Sequence, residues 1–138
     1  MRICVAAELQ HAEVADVLLW NSYTDAAPCI EKLVQEYFPV IRQEFLQFIF
    51  EIGRYAVDGT TISEQFRLLK HFSAWEYSSL FERHPAYYGD ALFTIFKLRA
   101  LELHCQKVRP HEVRLCGCDD VASHIGSICK AQQIAFVH

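Results

Sequence analysis

The feature that most constrains this chain is its last stretch, residues 112–137. Glu112-Val113-Arg114-Leu115-Cys116 alternates as a half-buried strand does, and Gly117-Cys118-Asp119-Asp120 is a turn. Residues 121–132 carry Val121, Ile125, Ile128 and Cys129 on one helical face, and Ile134-Ala135-Phe136-Val137 is again a strand. A strand, a helix and a strand in so short a span form a βαβ unit, so the sheet contains parallel strands with a right-handed crossover. The fold class this predicts is α/β, with a small, mostly parallel, Rossmann-like sheet flanked by helices.

The rest of the chain is read in that frame. Residues 2–7 and 14–21 are candidate strands. Pro28 suits a first helical position and opens a helical stretch to Tyr55. Pro39 removes one backbone bond inside it, which predicts a kink or two helices, 28–37 and 39–56. Ile41, Phe45, Phe48, Ile49 and Ile52 form its core-facing stripe. Asp58-Gly59 is a turn. Thr61-Ile62-Ser63-Glu64 is a capping box opening a helix to about Leu69, and Ser73-Ala74-Trp75-Glu76 is a second, opening a helix that ends near Arg83, before Pro85. Asp90 is the expected N-cap of a helix over 91–107, closed by Pro110 and apolar on two sides.

Length and composition fit one domain over residues 1–138 with a real core: 52% of residues are hydrophobic and 22% charged. The net charge of −4 and the lack of a basic block argue against a nucleic-acid partner. No apolar run approaches a transmembrane span, and the start MRICVAAELQHAE lacks the apolar segment of a secretory signal, which points to the cytoplasm. Six cysteines in an apolar, helix-rich chain read as reduced, buried thiols. Cys116-Gly117-Cys118 lacks two further ligands at finger spacing, so no metal is expected.

Residues 72–106 hold the polar groups hardest to explain as solvated surface. Phe72, Ser73, Trp75, Ser78 or Ser79, Leu80, Glu82 and Arg83 are followed by a Pro-containing linker. Asp90-Ala91-Leu92 and Lys97-Leu98-x-Ala100-Leu101-Glu102 come after it. This pattern resembles the N-terminal half of bacterial surface-carbohydrate biosynthesis proteins of the capsule and lipopolysaccharide type, which look like two-domain, GT-B-type glycosyltransferases. The resemblance covers about the last half of the chain. It departs in one respect: family members are several times longer, and their donor-sugar domain is absent here. The resemblance implies an acceptor-side lobe, not catalytic alone, with a sugar nucleotide used by the complete enzyme and no cofactor bound by this chain. It implies a carbohydrate acceptor as partner, a partner domain or a second copy of the chain across the cleft, and a place in the cytoplasm, peripheral to the inner membrane.

The substrate-contact candidates are Trp75, Ser78, Glu82, Arg83, Lys97, Gly117 and Asp119. Trp75 offers a stacking face, and Glu82 and Arg83 are either sugar contacts or an ordinary ion pair. Gly117 and Asp119 lie where open α/β sheets bind ligands, although Asp119 or Asp120 serves equally as an N-cap. Lys97 either snorkels to solvent, pairs with an acid, or belongs to the site. Ser78 and Ser79 lack the strained elbow and the base of a hydrolase nucleophile, so no catalytic residue is assigned. The alternative functions are a non-catalytic interaction or oligomerisation module, and a stand-alone nucleotide-binding domain using the Gly117–Asp120 turn.

Overall fold

The structure is a computed structural model that describes residues 1–7, 16–21, 28–77 and 90–138, and of residues 16, 17, 76, 77 and 90 the backbone alone. In chain order its elements are β1 (Arg2–Ala6), β2 (Asp16–Leu19), α1 (Ile30–Arg54), β3 (Ala56–Val57), β4 (Thr60–Thr61), α2 (Ile62–Gln65), β5 (Arg67–Leu69), β6 (Phe72–Ser73), α3 (Asp90–Val108), β7 (Glu112–Cys116), α4 (Ala122–Ala131) and β8 (Ala135–Val137). Short 3₁₀ turns cover Ala74–Tyr77 and Asp119–Val121. The chain divides into two compact units, one of Met1–Phe38 with Ile95–His138 and one of Pro39–Thr94.

The first unit is the α/β fold that the terminal βαβ pattern predicts. Its sheet has the order β2-β1-β7-β8, and every neighbouring pair is parallel. Ile3 pairs with Val113 and Val5 with both Leu18 and Leu115, so these side chains share one face, and all are buried. Cys4, Ala6 and Leu19 on the other face are buried as well. Burial on both faces is what a parallel sheet with flanking helices requires, and it explains the near-continuous apolar runs of β1 and β2. In α4, Ile125 and Cys129 face the core, and Gly126 lies so close to Phe136 of β8 that an added Cβ would sit 3.3 Å from its ring. In α3, Phe96, Lys97, Ala100, Leu101 and Cys105 are buried while Ile95 is 55% exposed. The buried positions recur at one, three and four residues and form a single stripe, so the two-sided cover expected of this helix is only partial.

The second unit is built from the later turns of α1 and two small antiparallel hairpins. The helix runs through Pro39 as one element, so the two-helix alternative does not hold. Ile41 and Ile49 are buried, Phe45 and Ile52 half-buried, and Phe48 exposed. At about 100° per residue the five positions fall within an arc of about 100°, with 48 at one edge and 49 at the other, so Phe48 lies at the rim of the stripe. Asp58 and Gly59 have φ of 52° and 82° and form the tight connection between β3 and β4. Positive φ at both central residues marks a type I′ turn, for which Asp-Gly is a preferred pair.

The Thr61 capping box is present: Thr61 Oγ1 accepts from the Glu64 amide at 3.2 Å, and the Thr61 amide donates to Glu64 Oε2 at 3.1 Å. The helix it opens is a single turn, not one reaching Leu69. Arg67–Leu69 instead pairs with Phe72–Ser73. Ser73 also caps, accepting from the Trp75 amide at 3.3 Å and donating to the Ser63 carbonyl at 2.6 Å, but the turn it starts is 3₁₀. The expected continuation of that helix to Arg83 lies outside the described residues; Asp90 is the first residue of α3, and its side chain, which would make the cap, is not described.

Candidate functional site at the carboxyl end of the parallel sheet

The first unit places three strand ends side by side. The ladder continues past the strands: the Ala7 amide donates to the Cys116 carbonyl at 3.0 Å, and the Trp20 amide to the Ala6 carbonyl at 2.9 Å. Leu19 bridges Cys29 in parallel, which brings the start of α1, with Glu31 in its first turn, to the same end. Open parallel sheets bind ligands at this end, because the strand-to-helix turns gather there and helix N-termini point inward.

Lys97 is the group that stands out. It neither snorkels nor meets solvent: the residue is 8% exposed. Its Nζ donates to the Trp20 carbonyl at 2.8 Å and pairs with Glu31 Oε1 at 3.0 Å, and it lies 5.6 Å from the Trp20 ring centroid. Of the readings open for Lys97, the structure shows the paired one. A buried ammonium is stable only with such partners, since desolvation of an unpaired charge costs several kcal/mol. The other Glu31 oxygen, Oε2, is buried with no hydrogen-bond partner among the described residues. It remains an acceptor whose charge Lys97 offsets.

Gly117 follows β7 with φ of 72°, the left-handed region that a side chain resists. An added Cβ would meet only Ala7 Cβ at 3.4 Å, so the backbone angle, not crowding, selects glycine here. Cys118 is buried, with Sγ 3.8 Å from the Cys116 carbonyl. Burial pushes its thiol up to about 11, the carboxylates of Asp120 and Asp119 add to this, and the Lys97 charge opposes it.

The N-cap role weighed for Asp119 or Asp120 does not hold. Cys118 occupies the cap of the 3₁₀ turn and Val121 that of α4, and neither helix start has a side-chain cap bond. Asp119 is instead an exposed surface acid, with Oδ1 2.9 Å from His138 Nε2.

The remaining candidates lie elsewhere. Trp75 belongs to the second unit, is 8% exposed, and packs its indole on Gly53, where an added Cβ would come within 2.5 Å of Nε1. Phe66 lies against it with centroids 6.2 Å apart. Ser78, Glu82 and Arg83 lie outside the described residues. Glu31 and Trp20 escaped the sequence reading. The only signal for Glu31 was an acid in the first turn of a helix, which the macrodipole favours anyway. A cleft of ≈ 360 Å³ lined by Arg109, Pro110, Gln132 and Ile134, among others, lies at the opposite, amino end of β7 and β8.

Among the described residues no group of His, Cys, Asp and Glu could hold a metal ion, and no helix is long and apolar enough to cross a membrane. All six cysteines are free, five of them buried. Fold and site together define an α/β protein with an all-parallel sheet and a buried lysine at the carboxyl end of its strands. Comparison with known proteins finds no family model, curated protein or solved structure that matches the chain.

Proposed function

We propose that this chain is the acceptor-side lobe of a surface-polysaccharide glycosyltransferase, working in the cytoplasm at the inner-membrane face and not catalytic alone. The observation that carries the reading is Lys97. It is among the residues that carry the resemblance to surface-carbohydrate proteins, and it is buried and fully engaged at the sheet end where α/β folds bind ligands. Lys97 holds the Trp20 carbonyl and the Glu31 carboxylate in place. Gly117 lets a sugar ring approach the backbone, and the exposed Asp119 carboxylate accepts hydroxyl donors from it. The resemblance itself adds Trp75, Ser78, Glu82 and Arg83 as acceptor contacts. The sugar nucleotide belongs to the complete enzyme.

Saturation-transfer NMR against soluble and lipid-linked oligosaccharides tests this. The expected result is transfer to sugar protons, with amide shifts at Gly117 and Asp119. Absence of transfer, or transfer with these signals unmoved, removes the reading.

A second reading, a non-catalytic interaction module, is favoured by the apolar side chains that α1 leaves in solvent: Leu46, Phe48 and Phe50 are 37%, 55% and 54% exposed. Light scattering decides it, since a strict monomer at high concentration argues against it.

A further inference from the structure

We propose that the β5–β6 hairpin of the second unit is a contact for an anionic lipid surface. Leu68 and Leu69 are 67% and 69% exposed, and Phe66 just before them is 51% exposed. Two adjacent strand residues normally point to opposite faces. Here the register shifts between Arg67 and Leu69, and all three residues of β5 are exposed, so both leucines lie in solvent immediately before the Lys70-His71 turn.

Cations bracket this apolar tip. Arg67 and Lys70 flank the leucine pair, and both are exposed, as is His71. Among the described side chains, Glu64 lies 3.9 Å from Arg67 but is also engaged by the Thr61 amide, and Asp58 sits on the other hairpin's turn. Apolar side chains at a turn with long basic side chains beside them match a bilayer surface. The leucines enter the acyl boundary while Arg67 and Lys70 reach lipid phosphates. A protein interface fits less well, because lysine is depleted from the apolar core of such contacts. The inference does not rest on the carbohydrate reading, and the experiment contains no sugar.

Co-sedimentation of the full chain with phosphatidylcholine vesicles, with and without phosphatidylglycerol, tests it. The chain is expected to bind the anionic vesicles and to be released as salt rises. Arg67→Gln and Lys70→Gln should each weaken binding about fivefold. Leu68→Ser with Leu69→Ser should weaken it roughly tenfold or more. Ile95→Ser, which removes an exposed apolar group from α3, should leave binding unchanged. Circular dichroism of each variant should match the parent, since every altered side chain is exposed. No binding to anionic vesicles in dilute buffer overturns the proposal, as does undiminished binding by the leucine variant. It is overturned too if that variant instead lowers an oligomer's mass in light scattering, which would assign the hairpin to a second copy of the chain.

Discussion

Replacing Lys97 with methionine keeps the length of the side chain and removes its charge. Glu31 then stays four-fifths buried beside the Trp20 carbonyl with no cation to offset it. Breaking one side of a buried pair costs about 3 kcal/mol. Urea denaturation should show a loss of that size for Lys97→Met, and a smaller one for Lys97→Met combined with Glu31→Gln, which leaves no charge stranded. Purely additive losses would mean that the two residues do not act as a pair. The sequence shows an apolar helix with one lysine in it but not the lysine's partner, because a residue on α1 and a carbonyl after β2 become its neighbours only in the fold.

The thiols carry a second prediction at the same scale. Of six cysteines only Cys116 is not fully buried, so it alone should react promptly with a thiol reagent in the native protein, and the other five on unfolding. Burial pushes the Cys105 thiol up to about 12 from its ordinary 9.0, and Cys118 up to about 11. A raised thiol pKa holds the proton in the folded state. Its contribution is therefore complete below the unfolded value near 9.0 and is lost as pH climbs toward 11 and 12. Urea midpoints should be insensitive to these groups up to pH 9 and should fall above it. Cys105→Ala should soften that alkaline fall even though it lowers stability overall; an unchanged fall would remove Cys105 from the account. The expectation of reduced, buried thiols came from chain length and apolarity, and the structure agrees with it.

At the scale of elements, Gly53 in α1 is set by Trp75. Alanine is the better helix former by about 1 kcal/mol, so an exposed helical glycine would gain from the change. Here the new Cβ would meet Trp75 Nε1 at 2.5 Å, closer than real contacts allow, and the indole is packed in place. Overpacking costs about 1–3 kcal/mol, so Gly53→Ala should be net destabilising, and Trp75→Phe in the same chain should recover part of the loss. A stabilised Gly53→Ala would mean that the tryptophan gives way freely.

Elements were legible where local chemistry decides them. The strand alternation of residues 112–116, the Thr61 capping box and the Asp58-Gly59 turn all read correctly, since each depends on residues within a few positions. The helix expected over 62–69 did not. The Phe66 amide closes the single turn onto Ile62, its carbonyl is taken by the Ala74 amide, and the Gln65 side chain is tied to the Val57 and Thr60 carbonyls. Hairpin pairing thus captures groups that a longer helix would have used, and a capping box cannot announce that competition.

At the scale of the whole molecule, the pairing of β1 with β7 joins the first strand of the chain to residues more than a hundred positions away. Closing so long a loop costs conformational entropy before any contact repays it. The terminal βαβ pattern implied parallel strands, yet no local signal could say that β1 would sit between β2 and β7. Once formed, β1 and β7 are the inner strands of a sheet buried on both faces, whereas β3 to β6 make two-stranded hairpins with mostly exposed residues. An isolated two-stranded hairpin is marginal in water, and amides open most readily where few apolar side chains cover them. Native-state hydrogen exchange should therefore find the slowest amides at Ile3, Val5, Val113 and Leu115, exchanging only through global unfolding. Those of Val57, Thr60, Leu68 and Leu69 should exchange orders of magnitude faster through local opening. Equal protection of the β5 and β1 amides would show that the hairpins are held as firmly as the sheet, and the exposed leucines would then need a cover that their own unit does not supply.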